Sequence, residues 1–186
     1  MALDHALLVS LLEKPSSGYD LARRFDRSIG FFWHATHQQI YKVLARMEAS
    51  GWTRGRLRPG EAAPDRREFS VTAAGRAELE RWLAEPTTPE AARDTLLVKM
   101  RAASFAGTAA LLPELERHRA AHGEQLARYR AIEARDFSGP LPRRQALQYQ
   151  VLKAGIGFEA TWIAWCDEAI ALLRDTTDNN TTGDAR

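Results

Sequence analysis

The side chains with the clearest chemical potential lie in a short basic segment of the chain. Residues 41–60 include five basic residues and one acid, Glu48, in a protein whose formal net charge is only +2. Apolar residues recur at helical spacing over residues 40–47, which places Gln38 and Lys42 on the opposite, polar side of a helix. An amide can form paired hydrogen bonds with an adenine edge, and a lysine can contact guanine or phosphate. These residue types favour recognition of double-stranded DNA.

Three predicted helices position this segment. The first spans Asp4–Glu13 with Asp4 as its cap, and Ser17-Gly-Tyr-Asp20 forms a capping box that opens the second. A further capping box, Thr36-His-Gln-Gln39, opens the third helix. The helix N-termini at Ser17 and Thr36 carry free backbone N–H groups, which are suited to bind phosphate.

A β-hairpin is predicted after the third helix. Residues 52–58 and 66–71 form short strands on either side of a turn rich in proline and glycine, and Thr72 caps a fourth helix. Three helices, a hairpin and a fourth helix form the order of a winged helix-turn-helix. In such a domain the third helix enters the major groove of DNA and the hairpin, or wing, lies along the backbone. The wing carries arginines at alternate positions, Arg54, Arg56 and Arg58.

A segment with two prolines, Glu85–Pro89, marks the predicted domain boundary. Residues 1–85 form the predicted DNA-binding domain, residues 90–174 a helical dimerisation domain, and residues 175–186 a disordered tail. Helices in the second domain are predicted at about 90–104, 108–134 and 143–173. The fold class is therefore mainly α with a small β-hairpin wing: an N-terminal winged helix-turn-helix followed by a C-terminal helical dimerisation region.

A set of motifs is distributed along nearly the whole chain. They are Leu7–Leu12, Ser17–Leu21, Gln39–Glu48, Gly51-Trp52, Phe69–Arg76, Arg93–Met100 and Trp162–Leu173. Together these motifs resemble those of PadR-type transcriptional regulators. The resemblance implies a homodimeric repressor, with an N-terminal winged helix for DNA and a C-terminal helical region for dimerisation. It also implies that Tyr41, in the recognition helix, faces DNA or contacts phosphate.

The predicted DNA contacts combine the helix N-termini, the outward face of the third helix and the wing. They are Ser17, Tyr19, Thr36, His37, Gln38, Tyr41, Lys42, Arg46, Arg54, Arg56, Arg58 and Arg66. Each basic residue alone is explained as well by a solvated surface, but the helix order and the cap positions favour DNA binding for the group. The alternative is a winged-helix adaptor that binds proteins without DNA, which the basic segment disfavours.

The last predicted helix carries a long apolar face, which one small domain cannot cover by itself. A helix from a second copy of the chain is predicted to pack there, and Gly155 and Gly157 favour close crossing at this contact. The predicted dimer residues are Leu147, Val151, Gly155, Phe158, Trp162, Trp165, Ile170 and Leu173. A two-fold dimer would place two third helices ~34–36 Å apart and would require a roughly palindromic operator.

Tryptophans provide a hypothesis for a small-molecule effector. The family resemblance implies an aromatic or lipophilic ligand near the dimer contact in some relatives, and Trp33, Trp162 and Trp165 could stack on such a compound. Packing in a core is the alternative for each of the three. A third class of function is a helical protein that binds a small molecule or a metal ion through the tryptophans and the pair His118 and His122.

Other functions find little support in the sequence. His118 and His122 are four residues apart, but no third metal ligand lies nearby, so no metal site and no cofactor are predicted. The chain has one cysteine and no signal-peptide pattern, and no apolar run approaches ~20 residues, so a cytoplasmic location without a membrane helix is expected. A phosphate-binding glycine loop and a nucleophile elbow are both absent, so no catalytic residue is predicted.

Overall fold

The structure, a computed structural model, describes residues 2–26, 35–59, 66–89 and 93–180. It divides the chain into two compact units, Met1–Glu90 and Ala91–Arg186. The predicted effector contact Trp33 lies outside the described residues. No helix in the described ranges combines the length and apolar character that crossing a membrane requires.

The first unit has the element order of a winged helix-turn-helix. Its elements are α1 (Ala2–Glu13), β1 (Ser16–Ser17), α2 (Gly18–Asp26), α3 (His37–Ala49), β2 (Thr53–Arg58), β3 (Arg66–Val71) and α4 (Ala73–Leu83). Three of the helices begin where their caps predict. The side chains of Ser17, Thr36 and Thr72 each accept a hydrogen bond from the backbone N–H three residues later. The predicted fold class is confirmed.

The sheet of the first unit has one strand more than the predicted hairpin. β1 pairs antiparallel with β3, so the strand order is β1-β3-β2. Ser16 lies opposite Phe69, and Ser17 lies opposite Glu68. Two serines show no alternation of apolar and polar residues, so the sequence pattern does not reveal this strand.

The apolar stripes of α1, α2 and α3 meet in the core of the first unit. The buried members are Leu7, Leu8, Leu11, Leu21, Ala22, Phe25, Ile40, Val43, Leu44 and Met47. Asp4 does not cap α1 as predicted: it lies inside the first turn, and its buried carboxylate accepts hydrogen bonds from Arg46 of α3. The carboxylate is therefore used to join two helices.

The second unit consists of three helices, α5 (Thr95–Ala106), α6 (Leu111–Asp136) and α7 (Arg143–Asn180). α6 and α7 are antiparallel, because Glu116 early in α6 bonds Arg174 late in α7, whereas Glu133 near the end of α6 bonds Tyr149. The buried core consists of Leu96, Leu111, Leu115, Cys166, Ala169, Ile170 and Leu173.

The last helix is longer than predicted. α7 continues to Asn180, so residues 175–180 are helical where the sequence predicted the start of a disordered tail. The physical reason is that no glycine or proline occurs after Leu173 until Gly183, so nothing in the sequence ends the helix earlier.

Three of the predicted dimer residues pack within their own chain. Ile170 and Leu173 are buried in the core of the second unit. A Cβ on Gly155 would lie 2.9 Å from Cε2 of Tyr129 in α6. The close crossing that this glycine permits therefore includes α6 and α7 of the same chain, and the side chains of Ile170 and Leu173 are used in the core of the second unit.

Candidate nucleic-acid interface

One face of α3 is polar and exposed. Opposite the side that packs on the core, four predicted contacts are accessible: His37, Gln38, Tyr41 and Lys42. The capping box sets the start of this face, because Thr36 Oγ1 accepts from the Gln39 N–H at 3.2 Å and Gln39 Oε1 accepts from the Thr36 N–H at 2.8 Å. A short polar surface of this kind can approach base edges in a major groove.

The ring of Tyr41 packs against the first residue of α2. A Cβ on Gly18 would lie 2.5 Å from Cε1 of Tyr41, so no larger residue fits at this position without moving the ring. Tyr19, the next residue, is exposed, and the guanidinium of Arg23 lies 5.7 Å from its ring centroid. Two tyrosines and an arginine therefore lie near the contact between α2 and α3, a relation that sequence spacing did not indicate.

The N-terminus of α2 is closed by its own side chains. Ser17 Oγ accepts from the Asp20 N–H at 3.1 Å and donates to the Asp20 carboxylate at 2.8 Å. Arg66 Nη1 lies 4.0 Å from Oδ2 of the same carboxylate. The hydroxyls of Ser17 and Thr36 thus serve as helix caps, so a phosphate at either helix end would have to bind the backbone N–H groups that these caps do not use.

Carboxylates engage two further arginines among the predicted contacts. Arg46 donates to Asp4 Oδ1 from Nε at 3.1 Å and from Nη2 at 2.5 Å. Arg58 Nε donates to Glu68 Oε1 at 3.1 Å. Asp4 is 42 residues away from Arg46 along the chain. Proximity of this kind depends on the tertiary fold, so the charge pattern of the sequence does not show it.

Three basic residues of the interface pair with no carboxylate in the described part of the chain. Lys42, Arg54 and Arg56 are exposed, and none forms an ion pair with any residue that the structure describes. Arg54 and Arg56 occupy alternate positions of β2 and therefore point to the same face of the wing, opposite Ser70 and Glu68 of β3. Their positive charge is available to an external anion.

Glu48 connects the end of α3 to both strands of the wing. Its Oε1 accepts from the Gly55 N–H at 3.0 Å and from Arg67 Nη2 at 2.8 Å. In the sequence Glu48 stands out only as the single acid of the basic segment. Its contacts with Gly55 and Arg67 depend on the tertiary fold, so the sequence pattern does not show them.

The predicted effector residues of the second unit lie in an aromatic cluster. Trp162 and Trp165 are half-buried and meet edge to face at 5.3 Å between centroids. His122 stacks on Trp162 at 5.5 Å, and its Nδ1 lies 2.5 Å from Oε2 of the buried Glu159. One face of Trp162 is thus covered by its own chain. Within the described ranges, no group of three or more potential metal ligands occurs.

Fold and surface together define a winged helix-turn-helix regulator. Residues 7–81 match the family described as transcriptional regulator PadR-like family, and residues 92–174 match the one described as virulence activator alpha C-term. The chain is 43% identical over 187 residues to the probable transcriptional regulator Rv1176c of Mycobacterium tuberculosis, covering 94% of this chain and 99% of that protein. The chain belongs to the PadR-like family of transcriptional regulators, which confirms the resemblance of its motifs.

Solved structures share this fold over nearly the whole chain. The Vibrio cholerae virulence activator AphA has a TM-score of 0.76 at 30% identity, covering 94% of this chain and 99% of that one. Bacillus subtilis PadR in complex with operator DNA has a TM-score of 0.79 at 23% identity, covering 93% and 99%. The same protein in complex with p-coumaric acid has a TM-score of 0.74 at 22% identity, covering 92% and 95%. The family and its members are transcriptional regulators, not enzymes, as predicted.

Proposed function

We propose that this regulator is a repressor that binds a roughly palindromic operator as a homodimer. The observation that carries the proposal is the exposed polar face of α3, with Gln38 and Lys42, in the same unit as the exposed wing cations Arg54 and Arg56. The relative from Bacillus subtilis supports it, because that protein is described as a negative transcriptional regulator and its structure contains operator DNA.

The side chains of the interface divide into two roles. Gln38 is the candidate for base recognition, since an amide can form two hydrogen bonds with an adenine edge. Lys42, Arg54 and Arg56 are candidates for phosphate contacts, which release counterions from the duplex. Arg46, which Asp4 already neutralises, contributes less charge to DNA.

Exposed apolar residues of the second unit support the homodimer. On α5, Phe105 is 89% exposed and Val98 69% exposed, and on α7 the side chains of Leu147, Val151 and Phe158 are also exposed. Exposed large apolar side chains of this kind are suited to a subunit contact, and two-fold homodimers are the commonest soluble assemblies. We therefore place the subunit contact on these residues.

A small aromatic effector is the third part of the proposal. It is supported by the complex of Bacillus subtilis PadR with p-coumaric acid. In this chain a ligand that stacks on the face of Trp162 covered by His122 would have to displace His122. A titration with p-coumaric acid tests this compound: unchanged tryptophan fluorescence together with unchanged operator affinity would reject it.

Selection of bound sequences from random duplex DNA, followed by footprinting, tests the proposed DNA binding. We expect a palindrome whose half-sites lie about one helical turn apart. On the selected operator, the slope of log affinity against log salt should become less steep by ~0.9 in each of Lys42→Ala and Arg56→Ala. Arg117→Ala, which removes an exposed cation from α6 of the second unit, is the matched control and should leave the slope unchanged.

One outcome would contradict the proposed DNA binding, and another would contradict only the assignment of its phosphate contacts. Failure of the folded chain to bind any duplex at low salt would favour the adaptor that binds proteins without DNA. Unchanged salt slopes in both Lys42→Ala and Arg56→Ala would remove these cations from the interface while leaving DNA binding itself in place.

A further inference from the structure

The side chain of Glu48 links three elements at the base of the wing. It lies in the last turn of α3, and its side chain is 28% exposed. A single oxygen, Oε1, accepts from the Gly55 N–H of β2 and from the Arg67 guanidinium of β3. Because β2 is an edge strand of the sheet, this carboxylate supplies an acceptor that a further strand would otherwise provide.

The packing around this link leaves little freedom. A Cβ on Gly55 would lie 2.9 Å from Glu48 Oε1 and 3.1 Å from Cε1 of Phe69, and closer still to Nε of Arg67. The Arg67 guanidinium in turn lies 5.5 Å from the ring centroid of Phe69, which packs on the core of the first unit. A side chain at position 55 would therefore have to displace the side chains of Arg67 and Glu48 from their present positions.

The link fixes the residues on either side of Gly55. These neighbours are Arg54 and Arg56, the two wing arginines that pair with no carboxylate among the residues that the structure describes. Glu48 belongs to the same helix as Gln38 and Lys42, so its two hydrogen bonds connect the helix that carries these residues to the strands of the wing.

We propose that Glu48 is a positioning residue for DNA binding, which holds the wing against α3 so that Arg54 and Arg56 reach phosphate while α3 lies in the groove. This role opposes the simple effect of its charge. An acid beside a duplex repels phosphate, so its removal should strengthen binding on electrostatic grounds alone. If the carboxylate positions the wing, its removal weakens binding.

Two substitutions of Glu48 in the full chain test whether removal of the carboxylate weakens or strengthens binding. Operator affinity is measured for each as a function of salt concentration. Glu48→Ala removes both hydrogen bonds, and we expect about tenfold weaker binding. The salt dependence of the affinity should become less steep by up to ~1.8, the value for two phosphate contacts at ~0.9 each. Glu48→Gln keeps an acceptor for the Gly55 N–H but loses the ion pair with Arg67, so its effect should be intermediate. The selected operator sequence should not change, because Gln38 stays on an intact α3.

A matched control removes another acid from the wing. Glu68 pairs with Arg58 and does not touch α3 in the described contacts, so Glu68→Gln should free a cation and leave binding equal or tighter. Unfolding by urea, followed for every variant, shows whether each is folded under the binding conditions. If Glu48→Ala is not folded under these conditions, the isosteric Glu48→Gln decides whether removal of the charge weakens or strengthens binding.

The role rests on the proposed DNA binding, and the results separate the two. The positioning role would be overturned, and DNA binding would stand, if Glu48→Ala bound the operator as tightly as the unchanged chain or more tightly. If the alanine variant is unfolded, the same criterion applies to Glu48→Gln. Absence of any duplex binding by the unchanged chain would instead remove the proposed function.

Discussion

Residues of one type in the basic segment differ in role because their neighbours differ. Arg46 meets the carboxylate of Asp4, which is 3% exposed, whereas Arg54 meets no carboxylate in the described structure. Removing Arg46 would take from the buried carboxylate of Asp4 the guanidinium that donates to its Oδ1, and would therefore destabilise the fold. Loss of DNA binding by an Arg46→Ala variant would therefore be explained as well by unfolding. Arg54 and Lys42 are better probes of the interface.

The carboxylate of Glu78 makes the first unit sensitive to acid. Its Oε1 lies 3.0 Å from His5 Nε2 and 2.7 Å from Arg81 Nη2. Hydrogen bonds from Arg81 and His5 lower the pKa of Glu78 to about 2, from an ordinary value of 4.5. Because this pKa is lower in the folded chain, the ionised carboxylate stabilises the fold above about pH 4.5. That stabilisation is lost as the pH falls from about 4.5 to about 2.

Urea unfolding of the chain and of Glu78→Gln, followed by circular dichroism, checks this expectation. The difference in unfolding free energy between the two proteins should shrink as the pH falls through that range. Glu80→Gln, at an exposed position of the same helix, is the control and should show no comparable change. A difference for Glu78→Gln that stays constant down to about pH 2 would contradict the role of this carboxylate.

Elements with local signals were predicted from the sequence, and links between distant residues were not. The start of α3 follows from Thr36 and Gln39, three residues apart, and both hydrogen bonds of their capping box are present. β1 exists only because β3, about fifty residues later, pairs with it. The contact of Gly18 with Tyr41 and the ion pair of Arg46 with Asp4 also depend on the assembled fold. The sequence pattern therefore predicted Arg46 as a DNA contact without showing its carboxylate partner.

Two glycines of α7 should respond in opposite ways to substitution. Gly157 has open space where a Cβ would lie, so Gly157→Ala should stabilise the chain by about 0.5–1 kcal/mol through a lower entropy cost of helix formation. At Gly155 the added Cβ would lie 2.9 Å from the ring of Tyr129, which is buried and cannot easily move. Gly155→Ala should therefore be destabilising, by about 1–3 kcal/mol.

Thermal and urea unfolding of the two variants side by side measures this difference, and each serves as the control for the other. Equal stabilisation by both substitutions would show that α6 and α7 separate enough at Tyr129 to admit a methyl group. Weaker self-association of Gly157→Ala, with unchanged stability of the subunit, would instead place the predicted close crossing between subunits at Gly157.

At the scale of the whole molecule, the two units present different surfaces. The first exposes polar and cationic groups on α3 and the wing, and the second exposes apolar groups on α5 and α7. A single recognition helix contacts one half-site. Joining two copies makes the second contact intramolecular and raises its effective concentration. Operator affinity is therefore expected to depend on the apolar surface of the other unit.

Substitution of exposed aromatic residues in the second unit tests this dependence. Phe105→Glu on α5 and Phe158→Glu on α7 place a charge on the proposed subunit contact, so both should dissociate the dimer in sedimentation experiments. Affinity for the full palindrome should then fall towards that for a single half-site, while affinity for an isolated half-site stays the same. Ala127→Glu adds the same charge at an exposed position of α6 and is the control. If both variants dimerise and bind as the unchanged chain does, the subunit contact lies elsewhere.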